Sequence, residues 1–271
     1  MPGCFDAMSA ALVQRAGYPI TFMSGFSVSA ARLGMPDTGL ISFGEMLDSL
    51  RGVSAAASPG TVVIADGDTG YGNALNVQRT VREYARAGAA CVMIEDQVSP
   101  KRCGHTRGKQ VVSRAEARTR IRAAVDARAA GDDILIMART DARAVHGFED
   151  ALERCHEFVE EGADVIFLEA PESLDEMRRF CAEIERPTMA NMIDGGKTPI
   201  LPPEELGEIG YKLAAYPLVL LSAAISAMSQ ALAALAPGAS IVRPPELTFE
   251  GLQAAVGFPA YWDAELHYKV D

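Results

Sequence analysis

Short continuous apolar runs alternate with amphipathic stretches along the whole chain. The runs fall at 20–24, 62–66, 90–95, 134–139, 164–169, 187–191 and 211–216, with a stub at 1–5. Runs this short, with no internal alternation, predict strands buried on both faces, as in parallel sheets. Between them, periodic apolar positions predict helices over 75–87, 113–130 and 148–161. Ser113 with Glu116, and Ser173 with Glu176, have capping-box spacing. Ser9 is placed to cap a helix that ends near Gly17.

A weak internal echo supports a repeated unit. Residues 88–95 read GAACVMIE and 162–169 read GADVIFLE, each a helix-terminating glycine followed by a strand that ends in glutamate. Eight strand–helix units would fill the 271 residues at about 34 each, the size of a (β/α)8 barrel. A doubly wound sheet needs the same alternation, but no G-x-G-x-x-G follows a strand. No Pro- or Ser-rich linker divides the chain, so one domain over 1–271 is expected, with about 240–271 as a C-terminal helical extension.

Composition narrows the function classes. Hydrophobic residues make up 49%, enough to build a large core and to exclude disorder over most of the length. The net charge of −11 argues against nucleic acid and anionic membranes as partners. A small anionic substrate stays open, because a local cation can invert the field. The most apolar stretch, 213–236, carries Ser222, Ser226, Ser229 and Gln230 and reads as a buried helix rather than a membrane span. Asp6 and Arg15 interrupt any secretory h-region. Five scattered cysteines with no C-x-x-C fit reduced thiols, so a cytoplasmic protein is expected.

Candidate chemistry follows from where polar residues fall. Nearly every predicted strand ends in one: Ser24, Asp66 with Asp68, Glu95 with Asp96, Arg139 with Asp141, Glu169 and Asn191. In a barrel these ends converge on one mouth, where active sites sit. The run 66–72 (DGDTGYG) is rich in carboxylate and glycine. Several carboxylates without histidine suit Mg²⁺, with Mn²⁺ as the alternative, and Asp37 and Glu95 could join them. Taken alone, a glycine turn with side-chain-to-backbone hydrogen bonds explains the same run. The loop 97–112 is strongly basic and holds Lys101, Cys103, Gly104 and His105. A thiol beside those cations is expected to have a lowered pKa and could move protons or attack. Gly104 and Gly108 could hinge a lid. The other cysteines read as core. His146, His156 and His267 read as surface residues, and Trp262 with Tyr261 and Phe258 as a helix or subunit contact.

These motifs carry a resemblance. SGFSVSAARLGMPDTG, DGDTGYG, EDQVSPKRCGH, ARTDA, FLEAPES and NMIDGGKTP, together with PGCFDAMSA and LTFEGLQAAVGFPAYW, resemble the isocitrate lyase/phosphoenolpyruvate mutase superfamily over essentially the whole chain. The likeness is strongest to the branch of 2-methylisocitrate lyase, 2,3-dimethylmalate lyase and carboxyphosphonoenolpyruvate phosphonomutase. It implies a (β/α)8 barrel whose last helix swaps between subunits of a homotetramer. It implies Mg²⁺ held directly by Asp66 and, through waters, by Asp68, Glu95 and Asp37. Ser24, Gly25 and Phe26 would bind a substrate carboxylate through backbone N–H groups. Arg139, His105, Asn191 and Glu169 would contact the remaining oxygens, with Gly104, Thr198 and Pro199 also at the substrate. Lys101 and Cys103 stand where lyase members carry the gating loop and the catalytic thiol.

Departures from the family pattern shift some expectations. Phe22 stands where the family commonly has Tyr or Trp. Gly67 replaces the commoner alanine and is expected to loosen its turn. Members usually carry a further N-terminal stretch before PGCFDAM, including a capping helix. Phe22, Phe26, Met192 and Pro199 are expected to set pocket size. The activity implied is carbon–carbon cleavage of a 2-hydroxy di- or tricarboxylate to an α-keto acid such as pyruvate, with Cys103 protonating the departing enediolate. A phosphonomutase, or an oxaloacetate decarboxylase or hydrolase, on the same Mg²⁺–enolate platform is the alternative. A non-catalytic binding module is the reading from another class.

Overall fold

The strands of the computed structural model stand where the apolar runs predict them. The structure describes residues 1–104, 108–236 and 247–269. Its strands are β1 (Gly3–Cys4), β2 (Ile20–Met23), β3 (Val62–Asp66), β4 (Cys91–Glu95), β5 (Leu135–Thr140), β6 (Val165–Leu168), β7 (Met189–Asn191) and β8 (Leu213–Ala215). β1 to β6 pair in chain order, and β7 pairs with β8, all in parallel. Parallel bridges Ile166↔Thr188 and Pro2↔Tyr216 join the two groups and close the ring. The result is the α/β barrel expected from the alternation. Between its strands run α1 (Ala7–Arg15), α2 (Gly25–Leu33), α3 (Phe43–Ala57), α4 (Ala74–Arg86), α5 (Arg114–Ala129), the single turn α6 (Arg143–His146), α7 (Phe148–Glu160), α8 (Leu174–Glu183) and α9 (Pro203–Ile209).

Some local expectations are corrected. Asp6, not Ser9, caps α1; Ser9 is the third helical residue, and its Oγ accepts from the Asp6 backbone N–H while its own N–H donates to the Asp6 carboxylate. Ser113 and Ser173 do cap α5 and α8, but each box is half made. Glu116 turns instead to Arg120, and Glu176 accepts from the Glu172 N–H and pairs with Arg143. A full box stands at Ser42 and Glu45, opening α3.

Side-chain parity explains how the barrel makes a site. Phe22, Ile64, Cys91, Met93, Met137, Val165, Phe167, Met189 and Ala215 form one buried cluster inside the ring. Successive strand residues point to opposite faces, so positions two apart share a face. Two residues beyond Phe22, Ile64, Met93, Met137, Phe167 and Met189 come Ser24, Asp66, Glu95, Arg139, Glu169 and Asn191. The polar strand ends are therefore the last inward layer, resting on an apolar floor. The residue that follows β4 faces outward: Asp96 accepts from Thr140 Oγ1 at 2.7 Å, the Asp141 N–H at 2.9 Å and Arg154 Nη1 at 3.2 Å.

Contacts divide the chain into two compact units, 1–220 and 221–271. The first is the barrel. The second holds most of α10 (Val219–Ala234), with α11 (Phe249–Val256) and α12 (Phe258–His267). Apolar side chains are exposed along it, among them Met228, Leu232, Phe249, Val256, Tyr261 and Leu266. Phe258 and Trp262 pack together, ring centroids 5.5 Å apart. No helix among the described residues is long and apolar enough to cross a membrane.

Candidate active site

A small cavity, partly open to solvent, lies at the C-terminal end of the strands. Its walls include Phe22, Ser24, Phe26, Asp37, Asp66, Lys101, Cys103, Gly104, Arg139, Glu169 and Asn191, all singled out from sequence. The order of the strands brings together residues up to 196 positions apart, from Phe22 to Leu218.

The acidic side is built on β3 and β4. The Asp66 carboxylate accepts from the Gly25 N–H at 3.1 Å and the Asp68 N–H at 3.0 Å. Gly25 begins α2, so this helix N-terminus faces the carboxylate with its positive end. A Cβ on Gly25 would lie 2.6 Å from Asp66 Oδ2, which explains glycine there. Lys101 reaches in from the loop, its Nζ 2.5 Å from Asp37 and 2.9 Å from Asp68. These are charge contacts without hydrogen-bond geometry: Asp37 Oδ1 and Asp68 Oδ1 lack a directed donor, as does Glu95 Oε1. Burial works against the Lys101 charge, but Asp68, Asp66, Asp37 and Glu95 more than offset it and hold the ammonium protonated well above its usual range. Burial, reinforced by Asp66 and Asp37 and opposed by Lys101, pushes Asp68 up to about 6. Burial also pushes Glu95 well above the carboxylate range, with Arg139 only partly opposing it.

Gly67 is a correction. A Cβ there would meet the Met93 carbonyl oxygen and Val92 Cγ2 at 2.8 Å each, so glycine tightens the β3–β4 approach rather than loosening the turn. The Gly67 N–H donates to that carbonyl at 2.8 Å. Behind it, the Tyr84 hydroxyl donates to the Asp66 carbonyl oxygen at 3.1 Å.

The cationic side is built on β5. Arg139 makes a two-pronged contact with Asp141, at 2.8 and 3.0 Å, and lies 3.1 Å from Glu169 and 3.3 Å from Glu95. Asn191 Nδ2 donates to Glu169 at 3.3 Å, while its Oδ1 is buried without a donor. Gly104 packs so closely that a Cβ would lie 2.5 Å from Arg139 Nη2. The Cys103 side chain is half-buried at the cavity wall.

Not every candidate converges. Asp68 and Glu95 are buried beside the cavity without lining it. Thr198 is buried with an unpartnered Oγ1, and neither it nor Pro199 lines the cavity. Ile193, not Met192, contributes to the wall. His105 lies outside the described residues. The basic loop carries a surprise for sequence reasoning: Lys101 and Lys109 are buried, each against carboxylates. The chain sequence gave no signal for Lys109, whose partner Asp141 lies 32 positions away. Phe167 also lines the cavity, a position recoverable from strand parity alone.

Comparison with known proteins agrees with this geometry. The family model described as phosphoenolpyruvate phosphomutase matches residues 1–236. A 2,3-dimethylmalate lyase of Eubacterium barkeri is 48% identical over 227 residues, covering 84% of this chain and 78% of that protein. A solved oxaloacetate acetylhydrolase, in complex with 3,3-difluorooxalacetate, superposes with a TM-score of 0.93 at 34% identity, covering 98% of this chain and 90% of that one. A phosphonopyruvate hydrolase solved with oxalate and Mg²⁺ gives 0.84 at 25% identity, covering 98% and 93%. The chain belongs to the phosphoenolpyruvate mutase/isocitrate lyase superfamily and is an enzyme of its lyase and mutase group.

Proposed function

We propose that the protein is a divalent-cation-dependent carbon–carbon lyase. Its substrate class is a 2-hydroxy di- or tricarboxylate of the alkylmalate or 2-methylisocitrate type, cleaved to an α-keto acid, pyruvate being expected, and a second carboxylate. The observation that carries this reading is the Cys103 side chain on the wall of the cavity that Arg139 and Lys101 also line. A mutase or hydrolase has less need of a thiol proton donor there.

Among the described residues no three His, Cys, Asp or Glu side chains could grip one metal ion directly. The buried oxygens of Asp37, Asp68 and Glu95 without directed donors fit instead a hard cation held by Asp66 and reached by the others through water, with Mg²⁺ or Mn²⁺ as the ion. When bound, such an ion stabilises negative charge on a substrate oxygen. The N-terminus of α2, at Ser24, Gly25 and Phe26, suits a substrate carboxylate. Arg139 orients a second carboxylate and balances its charge. The 2-hydroxyl gives its proton to a carboxylate at the cavity, Glu169 being placed for this, and its oxygen becomes the keto oxygen as the adjacent carbon–carbon bond breaks. The electron pair passes to the departing carbon as an enediolate, which fixed cations stabilise. Cys103 Sγ gives its proton to that carbon.

The net charge of −11 argues against nucleic acid or an anionic membrane as partner, while Arg139 and Lys101 at the cavity supply the local positive charge that a small anionic ligand needs. The exposed apolar side chains of α10 to α12 support assembly with further copies, as a homotetramer with a swapped last helix, and the five cysteines, all thiols, support a reducing, cytoplasmic setting.

The test is a panel of 2-methylisocitrate, 2,3-dimethylmalate, other alkylmalates, isocitrate and oxaloacetate, with Mg²⁺ and with a chelator. Keto-acid release from a 2-hydroxy acid, abolished by the chelator, supports the lyase. Turnover of oxaloacetate alone moves the protein to the hydrolase or decarboxylase reading. Silence across the panel favours phosphonate chemistry.

A further inference from the structure

We infer that Lys109 is a positioning residue that holds the Cys103 thiol at the cavity by tying the Gly104 carbonyl to Asp141. The loop carrying Cys103 leaves β4 and is paired at its root. Gln97 bridges Val111, the Val98 N–H donates to the Gln110 carbonyl at 2.9 Å, and the Val112 N–H to the Asp96 carbonyl at 2.9 Å. Above this root the backbone is fixed on both sides of Cys103. On one side, the Gln97 side-chain amide brackets Arg102: Nε2 donates to the Arg102 carbonyl at 2.8 Å, and Oε1 accepts from its N–H at 3.0 Å. On the other side, Lys109 Nζ donates to the Gly104 carbonyl. The same ammonium donates to Asp141 Oδ1 at 2.7 Å, and its side chain is 2% exposed.

Asp141 is the shared anchor. Its Oδ1 also accepts from Arg139 Nη2 at 3.0 Å, and its Oδ2 from Arg139 Nε at 2.8 Å. Lys109 therefore links the loop to Arg139, the one arginine among the described residues that lines the cavity. Gly104 then sits against Arg139 and Glu169 with no room for a Cβ. A lysine buried this deeply must use its donors on fixed acceptors. Here both acceptors set where Cys103 stands, and Lys109 itself does not line the cavity. Arg139 still donates to both Asp141 oxygens if Lys109 is lost.

The test is the rate at which iodoacetamide alkylates Cys103, read by mass spectrometry of its peptide in the full chain. Cys4, Cys91 and Cys155 are buried and serve as internal references. Removing a charge-assisted hydrogen bond shifts a local equilibrium by about tenfold or more, so Lys109→Met is expected to change the Cys103 rate by at least that factor. Lys109→Arg, which keeps the charge and donors, is expected to restore much of the original rate. If Lys109→Met does not fold, Lys109→Gln takes its place with the same expectation. Folded variants that alkylate at the unsubstituted rate overturn the inference. A second readout rests on the lyase reading: kcat for keto-acid release falls about tenfold or more in Lys109→Met while KM changes little, because substrate is bound by other groups. Altered alkylation in a protein that releases no keto acid retires the lyase reading and leaves this inference standing.

Discussion

The Lys101 ammonium lies 2.9 Å from the Asp68 carboxylate, and the two are buried together between Asp37 and Asp66. A fixed cation already sits among the carboxylates expected to hold a divalent ion. Charges this close in a protein interior interact by several kcal/mol. Lys101→Met is therefore expected to strengthen Mg²⁺ or Mn²⁺ binding by on the order of tenfold or more, while lowering turnover. The variant should also gain more thermal stability from added cation than the unsubstituted protein does. Titration calorimetry and a melting curve with and without Mg²⁺ check this. Unchanged or weaker cation affinity would show that Lys101 and the ion do not share the site.

Asp141 holds two buried cations, Arg139 and Lys109. Burial pushes its carboxyl up, but those two partners pull it further down, well below the carboxylate range. A carboxyl depressed on folding contributes stability that is present above its unfolded pKa and is lost as pH falls towards the folded one. Asp141→Asn leaves both cations short of their acceptor and is expected to cost about 3–5 kcal/mol at neutral pH. The gap between the two proteins should narrow below about pH 4, where Asp141 takes up a proton in the unfolded chain while the folded protein still holds it ionised. Denaturant melts across that range test it. A gap that stays constant into acid contradicts the assignment.

Gly67 separates β3 from β4 at the turn that carries Asp66 and Asp68. A Cβ would press on the Met93 carbonyl, a backbone atom that cannot swing away. Gly67→Ala is expected to destabilise by about 1–3 kcal/mol, the usual range for overpacking. It should also weaken cation binding, because the displaced turn carries both aspartates. A neutral or stabilising effect in a melt would mean that the strands yield.

Much of the barrel was legible because buried parallel strands write themselves as apolar runs, and all eight runs became strands. The site was legible for a related reason. Parity turns the polar residue two places beyond each core residue inward, as from Met137 to Arg139 and from Phe167 to Glu169. What sequence could not show were contacts across long separations. Lys109 reads as one more charge in a basic loop until the fold sets it against Asp141 and Gly104. The caps were partly misread because Glu116 and Glu176 each had a second suitor, an arginine, that the capping pattern ignores.

In the proposed lyase reaction a carbon–carbon bond breaks to give a keto acid and a carbanion that Cys103 protonates. The most direct measurement runs the Mg²⁺-loaded protein on an alkylmalate or 2-methylisocitrate in D₂O, beside Cys103→Ser, and reads both products by NMR. The expected result is pyruvate together with a second carboxylate carrying one deuterium on the carbon released from the broken bond. Cys103→Ser is expected to bind Mg²⁺ as before and to lose this turnover by about a hundredfold or more. Undiminished turnover in Cys103→Ser, or a panel on which only oxaloacetate reacts, would contradict the account.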